Sequence, residues 1–337
     1  LLKNDGAALP LAGVKSLAVL GMLATKGNIG DNGSSKVTPP YTVSILQGIK
    51  KLASGVKVSF CGGVPARSKM LAKNSDAAVV VVGLGAKDEN EGNDRDNLTL
   101  RPADIELIKL AAAENKRTIV ALIGGSAITM DGWLDQVSAV LMAWYPGMEG
   151  GNAVARALFG QVNPSGRLPI VFPKSEDQLF KFENKELKVK YDHYHGYRWF
   201  DDKGLEPLFP FGHGLSYTTF EYGPPKLDAT EFGAGGKLAA TVEVKNTGAV
   251  AGETVVFLFV GAKNPPVKRP KKDLRAFARV ALQPGESKSV RLEVDAQELA
   301  RFCMMKMDWV LDPGDYVALT GPSADPATLQ EAGFSVK

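Results

Sequence analysis

Two regimes of hydrophobic spacing divide the chain. In its first half a β-branched strand is expected at 56–60, and the other apolar positions come mainly in continuous runs, at 17–20, 77–82, 118–123 and 137–144. Such runs, rich in Val and Ile, predict buried strands of a parallel sheet covered on both faces. Three of them stop at glycine-bearing turns: Gly83-Leu84-Gly85, Gly124-Gly125-Ser126 and Tyr145-Pro146-Gly147. Helical spacing fills the intervals. Val43, Leu46, Ile49 and Leu52 predict a helix over 42–52, and a short one is expected over 68–74. Pro102 opens a stronger pattern over 103–115, in which Ile105, Leu107, Ile108 and the Ala111-Ala112 pair share a face. A fourth helix is expected over 152–159. Strand, glycine loop and helix in repetition predict an α/β sandwich with a mostly parallel sheet. Right-handed crossovers then bring the loops from Gly83, Gly124 and Tyr145 to one edge.

Beyond Lys237 the period falls to two. Leu238, Ala240, Val242 and Val244 alternate with polar neighbours, and Asn246-Thr247-Gly248 turns the chain. The alternation continues through Leu274, Phe277, Val280, Val290, Leu292 and Val294, and 316–319 follows the turn Pro313-Gly314-Asp315. About seven short strands at this spacing predict an all-β, fibronectin type III-like sandwich. Between the regimes lie a polar stretch, 174–190, and an aromatic one, 191–200, with Tyr191, Tyr194, Tyr197, Trp199 and Phe200. The expected organisation is an α/β domain over 1–181, a connector over 182–225 and a β-sandwich over 226–337. The connector's aromatics are expected to lock two domains together more than to offer a sugar platform.

Composition narrows the function classes. The 337 residues carry 40 basic and 37 acidic side chains, a net charge of +3. The short basic cluster Lys268, Arg269, Lys271 and Lys272 reads as a hairpin tip in solvent, so no nucleic-acid surface is expected. Cys61 and Cys303 specify no disulfide framework. His193, His195 and His213 lack the spacing of a zinc site, and no metal or other cofactor is expected. No apolar run reaches membrane-spanning length. The chain opens on Leu1 in the middle of a polar, turn-like segment, which reads as a processed or truncated piece.

Candidate chemistry concentrates after the 77–82 run. Lys87, Asp88, Glu89, Glu91, Asp94, Arg95 and Asp96 crowd the loop leaving that strand. In open α/β sheets ligands bind beyond the carboxyl ends of strands. By residue type alone the loop is either a positioned acid or a solvated polar connection. The earlier loop with Gly27, Gly30, Gly33, Ser34 and Ser35 fits neither a Walker sequence nor GxGxxG, and reads as a small-residue wall of a pocket rather than a nucleotide cradle.

Six segments, in order, resemble one family: LLKNDGAALPL at 1–11, VVVVGLGAKDENEGNDRDNLTL at 79–100, AWYPGMEGGNAVARALFGQVNPSGRLPIVFP at 143–173, GYRWF at 196–200, PLFPFGHGLSYTTFEY at 207–222 and LRAFARVALQPGE at 274–286. Together they resemble the second and third domains of glycoside hydrolase family 3, the β-glucosidases and β-xylosidases. The resemblance implies a (β/α)8-like barrel as partner, on the same or a separate chain, and a retaining mechanism. An Asp nucleophile on the barrel attacks the sugar, and a Glu on this chain serves as general acid, then base. Such pairs sit about 5 Å apart, and one carboxyl stays protonated near the working pH.

Carried onto this sequence, the resemblance assigns the acid/base to Glu91, directly before Gly92, with Glu89 as the alternative. Asp94 and Arg95 are expected to pair within the loop and support it. Glu149 is expected to start a helix. Asp31, Gly33, Ser34 and Ser35 match a variable loop that can approach the sugar. His193 and His195 stand where the family often has an E-G pair, and are candidates for the leaving-group side or for structural roles. Arg101 stands before Pro102 where Leu is common. The implied function is hydrolysis of terminal non-reducing β-D-glucosyl residues of a β-glucoside or oligosaccharide. The alternatives are a β-xylosidase, a non-catalytic carbohydrate-binding or scaffold subunit and, more remotely, a nucleotide-binding α/β protein. A secreted or periplasmic location, with a cytoplasmic one as the alternative, no membrane partner and possible homo-oligomers complete the expectation.

Overall fold

The computed structural model describes residues 1–30, 33–34, 36–85, 87–92, 94–181, 186–190 and 192–337. The chain forms two compact units. The first comprises Leu1–Pro164 and Phe172–Leu179, the second Ser165–Val171 and Phe180–Lys337.

The first unit is built on a six-stranded sheet: β1 (Lys3–Asn4), β2 (Ser16–Leu20), β3 (Lys57–Cys61), β4 (Ala77–Gly83), β5 (Thr118–Ile123) and β6 (Ala139–Trp144). Their order is β1-β6-β5-β4-β2-β3. β1 runs antiparallel to β6, and the other pairs are parallel. All residues of the central strands β4 and β5 are buried, which is why their sequences carry no alternation. The edge strand β3 is only partly covered and accommodates Lys57 and Ser59. Helix α1 (Ile45–Leu52) packs on α4 (Gly150–Leu158), and α2 (Pro65–Lys73) on α3 (Pro102–Glu114). Right-handed crossovers from this strand order set the two pairs on opposite faces of the sheet.

Local chemistry sets the helix starts. α1 begins after Ser44 rather than at Thr42, because the Ser44 hydroxyl and the Gln47 side chain close a capping box. α2 begins earlier than the apolar spacing suggests, at Pro65, a residue suited to a first turn. α1 and α4 approach until backbone touches backbone. A Cβ at Gly48 would overlap the Gly151 carbonyl, and one at Gly151 the Ser44 carbonyl.

The second unit carries two sheets. β13 (Ser287–Asp295), β10 (Lys237–Asn246) and β7 (Phe220–Tyr222) lie side by side, with β8 (Lys226–Leu227) also on β10. The facing sheet runs β12 (Asp273–Leu282), β11 (Gly252–Ala262), β16 (Gly314–Gly321), β17 (Gln330–Val336), β9 (Glu231–Phe232). Val242, Val244, Val256, Leu258, Val290 and Leu292 fill the space between the sheets. A separate hairpin joins β14 (Arg301–Cys303) to β15 (Asp308–Val310).

β11 is covered twice. Val256, Leu258 and Val260 point into the sandwich, while Phe257 and Phe259 face outward under Tyr197 and Phe211. Tyr197 stands on α5 (Tyr197–Lys203), 5.5 Å from Phe211 and 5.7 Å from Phe259, ring to ring. The connector's aromatics thus cover the outer face of the β-sandwich inside one unit. The basic cluster departs from the expectation of a solvated tip. Lys272 is 4 % exposed and donates to Asp201 at 2.6 Å, and Arg269 donates to the Leu299 carbonyl at 2.9 Å. Lys268 keeps an exposed side chain but pairs with Asp202 at 2.7 Å. The physical reason is that the acidic partners on α5 lie some seventy residues upstream, as the Lys272–Asp201 separation of 71 shows.

Candidate active site

β2 sits between β3 and β4, so the winding of the first unit reverses there. The loops leaving the carboxyl ends of β2 and β4 open on the crevice of that reversal, where doubly wound sheets bind ligands. One is the glycine- and serine-rich loop, the other the acidic loop.

Glu89 occupies the buried foot of the acidic loop and is 9 % exposed. Its Oε1 accepts from the Gly125 N–H at 2.5 Å and from the Tyr145 hydroxyl. Its Oε2 accepts from the Ser126 hydroxyl at 3.3 Å and faces Arg95 Nη1 at 3.9 Å. Arg95 returns from the far end of the loop. It donates to Ser126 Oγ at 2.5 Å and to the Ala127 carbonyl at 2.9 Å. Burial draws the guanidinium below its ordinary pKa, and the Glu89 carboxylate counters that pull. Both feet of the segment 89–95 are therefore fastened to residues 125–127, just past β5. Arg95 turns inward to Glu89, the carboxylate with which it shares a buried site.

Glu91 stands at the exposed crest between those feet. Its Oε2 accepts from the Ser34 N–H of the glycine-rich loop. Gly33 makes that approach possible, since a Cβ there would overlap Glu91 Cβ. Asp88 supports the crest from below, accepting from the Gly85 N–H at 2.8 Å and lying 3.8 Å from Arg101. The change from Leu to Arg at 101 thus places a cation beside the loop.

The two glutamates are chemically distinct. Glu89 accepts several hydrogen bonds and faces a cation, so its oxygens are committed. Glu91 is exposed to solvent. The structure brings Glu89, Glu91, Gly33, Ser34 and Arg95 together. Asp31 and Ser35 lie outside the described residues. His193 and His195 belong to the second unit, where His193 is exposed, 3.9 Å from Asp273, with its pKa lowered by burial and by Arg198. Glu149 caps α4 and accepts from Tyr41 at 2.6 Å and Asn152 at 2.5 Å. The Tyr41 hydroxyl, with Asn152, holds its carboxyl below the usual range. Sequence marks Tyr145, Gly125 and Ser126 only as turn residues, not as partners of a carboxylate. Their signal was position, at the ends of β6 and β5, with nothing to say which carboxylate they serve.

Residues 1–217 match the glycosyl hydrolase family 3 C-terminal domain, and 254–324 a fibronectin type III-like domain. The chain is 36 % identical over 350 residues to thermostable β-glucosidase B of Acetivibrio thermocellus, a match covering 98 % of this chain and 46 % of that protein. It is 38 % identical over 354 residues to a β-xylosidase of Formosa agariphila, covering 100 % and 48 %. The solved structure of β-glucosidase 3B from Thermotoga neapolitana in complex with α-D-glucose superposes with a TM-score of 0.88 at 31 % identity, over 99 % of this chain and 52 % of that one. The chain spans about half the length of the curated relatives it matches.

Proposed function

The chain belongs to glycosyl hydrolase family 3, and from that membership we propose that it supplies the general acid/base, Glu91, for retaining hydrolysis of terminal non-reducing β-D-glucosyl residues. A barrel domain outside residues 1–337 supplies the Asp nucleophile. In the first step that carboxylate attacks the anomeric carbon while the Glu91 carboxyl gives its proton to the leaving oxygen. In the second, Glu91 takes a proton from the water that releases the sugar. Ser34 orients the Glu91 carboxylate through its N–H, and Glu89 with Arg95 fixes the height of the crest. No step calls for a cofactor.

The observation that carries the reading is the contrast within one loop. Glu91 is exposed beside the β2–β4 reversal, while Glu89 is buried among donors. The test is p-nitrophenyl β-D-glucoside hydrolysis by this chain assembled with a family barrel. Glu91→Gln is expected to lower turnover by about 10²–10⁴-fold, with partial recovery on adding azide as a substitute nucleophile. Unchanged turnover in Glu91→Gln would assign the proton transfer elsewhere. The β-xylosidase relative supports a second reading in which the sugar is xylose. The ratio of kcat/KM for the glucoside and xyloside separates the two. A scaffold subunit would give no turnover with either.

A further inference from the structure

The tip of the β14–β15 hairpin reverses the usual burial of sulfur. Cys303, Met304, Met305 and Met307 place four sulfur side chains within five residues, from a chain with 2 Cys and 8 Met. Met304 is 74 % exposed, Met305 97 % and Met307 70 %. Thioethers are ordinarily core fillers, and here they fill nothing. Cys303 is a free cysteine, partly exposed.

The backbone draws these side chains together. Cys303 and Asp308 are the last registered pair of the ladder. The Lys306 N–H donates to the Cys303 carbonyl at 3.2 Å, closing a turn, and Met307 follows with φ of +49°. Such a turn holds its first and last Cα atoms within about 7 Å. Each Met has three rotatable side-chain bonds, so its sulfur is free to swing over the turn. Below, Arg301 is fixed to Asp312 by bonds of 2.7 and 3.0 Å, so the hairpin stem is anchored.

Thiolate and thioether donors select soft, low-coordinate ions, Cu(I) first among biological ones. They serve Mg²⁺, Ca²⁺ or Mn²⁺ poorly, and among the described residues no group of three or more His, Cys, Asp or Glu could hold a metal. We propose that the hairpin tip is a Cu(I) site in which Cys303 and two or three of Met304, Met305 and Met307 are the ligands. The site is independent of the glycosidase reading. Phe302 and Trp309 form the preceding registered pair and so present the opposite face of the hairpin, with rings 5.8 Å apart. Trp309 is thereby a nearby fluorescent reporter and not a ligand.

The test is anaerobic titration of the whole chain with Cu(I) held by a chromophoric chelator. The expected result is withdrawal of one equivalent, with quenching of Trp309 emission. Met305→Leu with Met307→Leu should weaken binding at least tenfold. Cys303→Ser with Met304→Leu, Met305→Leu and Met307→Leu should abolish it. Leucine keeps the apolar surface and removes the sulfur, so the variants separate a metal site from an apolar docking tip. All four positions are at the surface, and circular dichroism checks that the fold survives. Failure to withdraw Cu(I), or withdrawal unchanged in the fourfold variant, overturns the proposal. Self-association that persists in that variant without Cu(I) binding would assign the tip to docking instead.

Discussion

Exchanging one carboxylate for its amide separates the two glutamates of the acidic loop. Glu89→Gln removes the charge opposite Arg95 and replaces one acceptor oxygen with a donor facing Gly125, Tyr145 or Ser126. Breaking a buried pair from one side costs about 3 kcal/mol or more, and urea unfolding of this chain alone should read that loss. Glu91→Gln lies at an exposed crest, so its effect on stability should stay within about 0.5 kcal/mol, while turnover in the assembled enzyme falls. Tyr145→Phe sits between these outcomes. It removes one donor from Glu89 and leaves the others, for an expected loss of about 1–3 kcal/mol. The residue types of this loop were legible as candidate chemistry, but their division of labour was not. Two glutamates two residues apart look alike in a sequence. They differ because Gly125, Ser126 and Tyr145, more than thirty residues downstream, converge on one of them.

At the level of elements, the interior strands follow closely from their apolar runs, since burial on both faces leaves its mark on every position. Boundaries set by side-chain caps or by close approach were less visible. The α1–α4 contact turns on Gly48 and Gly151, whose missing Cβ atoms let carbonyls press against the opposite helix. Gly151→Ala must push the helices apart, and a thermal midpoint lowered by several degrees is expected. Asp76, just before β4, accepts from the N–H groups of Lys15 and Ser16 at 2.6 and 2.9 Å and so ties β4 to the start of β2. Those N–H groups hold its carboxyl below the ordinary 3.8. A depressed native value means that the unfolded chain takes up the proton first. The contribution is therefore complete above about pH 5 and lost as pH falls through 3.8 and below. Asp76→Asn should flatten that part of the stability–pH curve while leaving the region above pH 5 parallel to wild type.

Across the whole molecule, charge placement was harder to read than hydrophobicity. Apolar spacing is local, but the partners of Lys268 and Lys272 sit on α5 and that of Arg269 is the Leu299 carbonyl, all far away in the chain. Lys272→Met should leave Asp201 without its 2.6 Å partner, and pairing it with Asp201→Leu should recover part of the lost stability of the second unit. A double-mutant cycle measures that coupling. The same reasoning explains the aromatics of α5. Their sequence announced packing, while their target, the outer face of β11, became visible only with both faces of that strand in view.

The chain crosses between its two units three times, after Pro164, after Val171 and after Leu179. Phe172, fully buried and edge-on to Trp144 at 6.1 Å, belongs to the first unit although Ser165–Val171 does not. Neither half can therefore be excised or exchanged with a relative's at one junction. A recombinant hybrid spliced at residue 164 would inherit its Phe172 from the wrong parent, and a domain shuffled at 179 would carry off a stretch its neighbour needs.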